Sequence, residues 1–360
     1  MIPMASTSMS GMSELGKAPA VAAALSLQLV LAPAERGHAQ ERPPHKAEQV
    51  QGDYDRVAAQ LAEVRAHVLP RGKLFSALHK RGATRAEIEP ALEAITQANN
   101  GLYRIAEILS SLPEVRRHIE LNNMPPALRH EMSFLLSLQK PISYTIEGRY
   151  CTGFITAGQG GEHIAFNTAD HCIRGTTRTG EFTMGGGAMR GGDFAAHYFS
   201  DAEKQGSYKR MIDTAEKYEI AADVPWGTTA ILNAINTHTG AHERYPAVLI
   251  YVTPEMRLAL EMPRVPDGAA ALLLPQFTSL AMEGGLWLGG ESGSPIVVVP
   301  RAGDASSGAL KKVLGPLSAA TLTHVARPND GGALAPYILT TTLSETQRAA
   351  RRGLDAKAGR

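Results

Sequence analysis

The sequence predicts an all-β domain preceded by a smaller all-α domain, and three observations carry that prediction. Across residues 47–139 apolar residues recur at the spacing of one helix face, as Val57, Leu61, Val64 and Val68 do, in a background rich in Ala, Glu, Arg and Leu. After Lys140-Pro141 that period stops, and short β-type runs punctuated by glycine take over. A chain of 360 residues, 44% hydrophobic and 20% charged, is long enough for more than one domain and for a large core.

The first segment, residues 1–39, reads as a secretory leader. Residues 18–34 carry no charge and follow Lys17, and they contain the apolar run Ala20–Ala32. Gly37-His38-Ala39 supplies the small residues that a signal peptidase requires, which places the cut after Ala39. The run is shorter than the ~20 residues that a membrane span needs. A secreted or periplasmic protein with no stable span after leader removal is therefore expected.

Residues 40–140 form the helical domain, with the role of a propeptide, an intramolecular chaperone or a docking module. Thr84-Arg85-Ala86-Glu87 is a capping box that opens one helix, Leu102 to Leu112 reads as another, and Pro125-Pro126 begins a last one through Leu138. Residues 141–353 form the β domain. Its runs include 142–155, 164–166, 248–252, 270–274, 296–299 and 337–342, a spacing that suits antiparallel sandwiches or barrels. Ser344-Glu345-Thr346-Gln347 is a second capping box for a terminal helix that Gly353 stops, and 354–360 is a tail.

Charge and histidine spacing exclude two classes of function. Lys plus Arg number 36 and Asp plus Glu 35, so a net charge of +1 offers no field for a polyanion, and no nucleic-acid partner is expected. No H-E-x-x-H occurs, and His238-Thr239-Gly240-Ala241-His242 sits in a turn-prone stretch where that spacing does not align side chains. Both histidines read as surface residues. No metal and no cofactor are expected.

Two motifs about 120 residues apart carry chemistry: Thr168-Ala169-Asp170-His171-Cys172 and Gly290-Glu291-Ser292-Gly293-Ser294-Pro295. A serine hydroxyl is a weak nucleophile at neutral pH, so it needs an imidazole to take its proton and backbone donors to hold the resulting oxyanion. Glycines around Ser292 permit such donors to be placed. An α/β-hydrolase order using Ser292, Asp304 and His324 fails on two counts. The elbow needs glycine where Ser294 stands, and it needs a helix where Pro295-Ile296-Val297-Val298-Val299 reads as a strand.

The second motif resembles the G-[D/E]-S-G-[G/S]-P signature of the chymotrypsin-like (trypsin-like) serine peptidases, and the first resembles that family's T-A-A-H-C histidine box. Ser294 resembles bacterial glutamyl-endopeptidase-type members. No I-V-G-G start precedes Cys151, so activation by burying a newly cut N-terminus is not expected.

The resemblance, which covers roughly residues 142–353, implies two antiparallel six-stranded Greek-key barrels followed by a C-terminal helix. It implies a secreted serine endopeptidase acting on protein or peptide substrates. Ser292 is the nucleophile, His171 the general base, and the backbone N–H groups of Gly290 and Ser292 form the oxyanion hole. The acid is Asp193, in a D-F-A-A strand resembling the family's D-I-A-L, with Asp223 as runner-up. Leu286, six residues before Ser292, stands at the base of the substrate pocket. Gly315-Pro316-Leu317-Ser318-Ala319-Ala320 resembles G-I-V-S-W-G, which puts Ser318 and Ala320 along the pocket wall and favours an apolar or small side chain. The only two cysteines, Cys151 and Cys172, occupy positions that the family bridges; two free thiols are the alternative. The rival function is a catalytically inert homologue whose barrels serve as a binding platform.

Overall fold

Buried apolar stripes organise the helical part. The computed structural model describes residues 55–62, 64–65, 82–146, 149–158, 163–173, 189–191, 194–221, 224–225, 227–236, 240–251, 253–259, 270–274, 292–301, 309–322 and 337–341, all within one unit, Gln51–Arg360. The leader expected at 1–39, Val68, His238, the terminal helix expected after Ser344 and the tail at 354–360 lie outside them. Residues 55–62 and 64–65 are helical and turn Leu61, with Val57 and Val64 beside it, into the core.

Helix α1, Arg85–Ser111, begins as expected: the Glu87 carboxylate accepts from the Thr84 N–H at 3.0 Å, as a capping box requires. It then runs unbroken for 27 residues where two helices were expected. Asn99-Asn100-Gly101 suggests a break by propensity, yet Ala98, Asn99 and Leu102 are buried, and tertiary burial outweighs that weak local preference. Helix α2 is Glu114–Asn122, and α3 is Pro126–Leu136 with proline at its start, where a missing N–H costs nothing. Two arginines donate to carbonyls at the helix ends. Arg117 Nε donates to Leu109 O at 2.8 Å and Arg129 Nη2 donates to Asn122 O at 2.7 Å.

The β part contains β1 Ile142–Ile146, β2 Arg149–Thr156, β3 Ala165–Ala169, helix α4 Asp170–Ile173, β4 Met189–Gly191 and β5 Phe194–Tyr198. Short helices α5 Asp201–Gln205 and α6 Lys209–Thr214 lead to β6 Lys217–Ile220, β7 Thr229–Ile235 and β8 His242–Tyr251. Helix α7 Pro254–Ala259, β9 Ala270–Leu274, β10 Pro295–Val298, β11 Lys311–Leu322 and β12 Tyr337–Thr341 complete the order.

These strands join in one 12-stranded sheet ordered β10-β7-β8-β9-β12-β11-β6-β2-β3-β5-β4, with β1 on β2. Two separate six-stranded barrels are therefore not what the pairings of the described residues give. β10 also pairs with β11, so β7, β8, β9, β12, β11 and β10 pair antiparallel around a closed circuit. The other strands are joined to that circuit by β6, which lies parallel to both β2 and β11.

Helices and sheet share one apolar core. Leu102, Leu109, Met132 and Leu135 pack in the same cluster as Phe154, Tyr218, Ile231, Val297 and Val313. Tyr103 of α1 stacks on Tyr245 of β8 at 5.2 Å between centroids. The connection from α3 into the sheet is polar and fully tied. Glu216 accepts from the Gln139 N–H at 3.1 Å, from Tyr218 Oη at 2.6 Å and from Lys311 Nζ at 2.5 Å, and Lys311 also donates to Ser137 O.

His242, expected on the surface, is half-buried at the start of β8 and belongs to this network. Arg244 Nη2 lies 3.2 Å from His242 Nδ1, and Asn233 Oδ1 lies 2.6 Å from its Nε2. Arginine can only donate, so Nδ1 accepts and Nε2 carries the proton. Burial, then the charges of Arg244 and Lys140, push this imidazole down to about 4 from its ordinary 6.5. Between those values the unfolded chain binds more protons than the folded one, so His242 contributes stability above pH 6.5 that is lost as pH falls toward 4. Urea unfolding across pH 7 to 4 should show a fall in stability that His242→Gln flattens. Equal slopes in the two proteins would refute this.

Candidate active site

Three consecutive residues of β2 build the site: Cys151, Thr152 and Gly153. Gly153 sets the fit of β3, because a Cβ there would come 2.2 Å from the Phe166 ring and 2.8 Å from Asn167 O. β3 pairs antiparallel with β2, Phe154 opposite Asn167 and Ile155 opposite Phe166. Every residue of β3 is buried. The Asn167 amide, buried in β3 as Thr168 is, donates to Thr156 Oγ1 at 2.9 Å and Ala165 O at 3.0 Å.

β3 ends in α4, which carries an exposed His171. Cys172 of α4 is joined by a disulfide to Cys151, 21 residues earlier. Closing a loop of that size contributes about 3 kcal/mol and holds α4 against β2.

The next residue of β2 holds the other motif. The Thr152 N–H donates to Ser292 O at 2.9 Å. On its far side the turn is clamped by β11, where Gly293 N–H donates to Leu317 O and Leu317 N–H donates to Ser294 O, each at 2.8 Å. Gly293 has φ +91°, and a Cβ there would lie 1.9 Å from Thr152 O, so glycine meets two separate demands. β10 then leaves the turn from Pro295. Cys172 Sγ stands 3.7 Å from Ser292 O. A disulfide sulfur has no hydrogen to donate, so this is proximity rather than a hydrogen bond.

The two motifs, 120 residues apart, thus hang from adjacent residues of one strand. Ser292 is half-buried beside the His171 segment. Ser318 and Ala320 lie in β11 directly after Leu317, so their backbone continues from the residue that clamps the turn. Register against β12 shifts between Leu317 and Ala319, which makes Ser318 the irregular residue of that pair. Asp193, Asp223, Leu286, Gly290 and Glu291 lie outside the described residues.

The sequence reading missed Thr152 and Leu317, which act through backbone groups and leave no mark in residue type. It also missed Tyr144, whose hydroxyl lies 2.6 Å from Thr168 Oγ1. Ser294 Oγ is fully buried and has no hydrogen-bond partner among the described residues. Among the described residues no group of His, Cys, Asp and Glu is placed to hold a metal, and no helix is long and apolar enough to cross a membrane.

No family model matches the sequence, and no curated protein does. Solved structures similar to the chain include the NS6 protease of murine norovirus, 18% identical over 55% of this chain and 88% of that one, with a TM-score of 0.31. An inactive mutant of NS6 with a C-terminal extension is 17% identical over 57% and 93%, with a TM-score of 0.33. The Rv3671c protease of M. tuberculosis in its inactive form is 12% identical over 59% and 98%, with a TM-score of 0.31. Likeness at these TM-scores does not establish a shared fold.

Proposed function

We propose that the chain is a serine endopeptidase in which Ser292 forms a covalent acyl-enzyme with peptide substrates. One observation carries this reading: Cys151 tethers the helix that bears His171 and Thr152 tethers the turn that bears Ser292, so both chemical motifs are suspended from one point of β2. In this mechanism His171 takes the Ser292 proton as the hydroxyl attacks the scissile carbonyl, then returns it to the leaving amine, and a water activated by the same imidazole releases the acyl group. The N–H groups of Gly290 and Ser292 receive the oxyanion, each such donor contributing on the order of 10²–10³ in rate. Asp193 orients the imidazole, with Asp223 as the alternative. Leu286, Ser318 and Ala320 shape a pocket for an apolar or small side chain.

The closed antiparallel circuit of β7 to β12 is our candidate for one barrel of the chymotrypsin-like arrangement, with strands β1 to β5 as the other. Residues 141–353 are the proposed catalytic domain and 40–140 the helical one, whose shared core with the sheet favours a retained layer over a discarded propeptide. The disulfide supports a secreted or periplasmic location after removal of residues 1–39.

Treating the protein with a fluorophosphonate and recording the intact mass tests the reading. One adduct is expected on the parent chain, none on Ser292→Ala, and adduct formation slowed by at least about 10³-fold on His171→Ala. A parent chain that takes up no probe would sink the hydrolase reading and leave the binding platform.

A further inference from the structure

We infer that Thr168, with Tyr144 behind it, is a positioning residue for the Ser292 turn, through a hydroxyl chain that ends on the Thr152 carbonyl; its effect on rate rests on the nucleophile proposed above. Tyr144 Oη lies 2.6 Å from Thr168 Oγ1, which lies 2.8 Å from Thr152 O. A carbonyl only accepts, so the single Thr168 hydroxyl proton goes to Thr152, and Tyr144 must be the donor to Thr168. The direction of the chain is therefore set from Tyr144 toward the turn. Burial raises the phenol well above its ordinary range, so it remains a donor at any pH the protein meets.

The chain ends where the nucleophile turn is seated. A Cβ on Gly293 would lie 1.9 Å from Thr152 O and 2.4 Å from Thr168 Oγ1, so these two oxygens form the floor beneath Gly293. Thr152 meanwhile donates its N–H to Ser292 O at 2.9 Å. One residue thus contacts the turn through both of its peptide groups, and the Thr168 hydroxyl orients the second of them. Thr152 and Thr168 are fully buried and Tyr144 nearly so, which means that bulk water does not substitute for a lost member. Thr168 also begins the segment that leads to His171. A tilt of Thr152 is thereby transmitted to Ser292, and a misplacement of order 1 Å at a nucleophile costs on the order of 10²-fold in rate.

Thr168→Val keeps the volume and removes the hydroxyl, Thr168→Ser keeps the hydroxyl, and Tyr144→Phe removes the donor while keeping a ring for its edge contact with Phe166. These variants of the full chain should be compared with the parent at a temperature where all are folded. Two quantities are read: the second-order rate of fluorophosphonate labelling at Ser292, and hydrogen exchange in the peptide covering 292–298. Thr168→Val should label roughly 10- to 100-fold more slowly and exchange faster at the turn, Thr168→Ser should stay within about threefold of the parent, and Tyr144→Phe should fall between. Should Thr168→Val fail to fold, Tyr144→Phe carries the test. Parent-like labelling and exchange in Thr168→Val or Tyr144→Phe, even with a lowered melting temperature, would overturn the inference. A parent chain that takes no probe removes the hydrolase reading alone. Exchange then decides: faster in Thr168→Val and restored in Thr168→Ser upholds the positioning role, and unchanged exchange ends it.

Discussion

Gly293→Ala should be among the most damaging single substitutions in this chain. The added methyl carbon would stand 1.9 Å from Thr152 O and 2.4 Å from Thr168 Oγ1, neither of which is the end of a flexible side chain free to swing aside. It would also have to adopt φ +91°, where an L-residue pays steric strain. Overpacking a fully filled site and forcing that conformation together cost about 3–5 kcal/mol, a large share of the ~5–15 kcal/mol that a domain possesses. The turn has two ways to respond. It can lift off β2, breaking the Thr152 to Ser292 bond, or drag β11 with it through Leu317. Either response moves Ser292, so labelling should disappear together with the stability. The urea midpoint and the labelling rate of Gly293→Ala are the measurements, and a variant with parent-like values of both would show that this turn is not seated as described.

Removing the disulfide should be nearly as costly and should separate anchoring from chemistry. Cys151 and Cys172 are both buried, so Cys151→Ala/Cys172→Ala leaves no free thiol and only small voids while releasing the 21-residue loop. A loss of about 3 kcal/mol in unfolding free energy is expected. The chemical consequence is larger than that figure suggests. His171 is exposed on a four-residue helix whose covalent tie to β2 is this bond. Freed of it, α4 is held to the sheet by β3 alone, and labelling should fall by about 10- to 100-fold under conditions where the double variant remains folded. Reduction of the parent protein should reproduce both effects. Full labelling by a stable, disulfide-free variant would mean that β3 alone holds the histidine.

Local chemistry decided how much of this could be read in advance. The Thr84 capping box and the Pro126 helix start each depend on residues within a short window, and each is present where the sequence places it. The disulfide was implied by the family resemblance, which bridges a cysteine on the strand before the histidine to the one beside it. Parallel pairing of β6 with both β2 and β11 depends on partners far apart in the chain, and Lys217-Tyr218-Glu219-Ile220 carries no local sign of either. The same reason hides the continuity of α1 across Asn99 and Gly101, since the burial that sustains it is tertiary. His242 was misplaced because a turn-like composition says nothing of Asn233 and Arg244 waiting on β7 and β8. Within the site, the residues that seat the Ser292 turn are Thr152 and Leu317, and a backbone hydrogen bond is indifferent to the side chain that carries it.

The core that helices and sheet hold in common has a bearing on how the chain is made. Leu102, Leu109, Met132 and Leu135 are synthesised early, but their partners Val297 and Val313 follow about 160–210 residues later, which at ribosomal speeds is a delay of roughly 8–42 s. During that interval Phe154, Tyr218 and Ile231 can cover part of the helical face, but the part that Val297 and Val313 cover stays open. The helical layer therefore completes its packing only when β10 and β11 arrive, last among the partners that share its core.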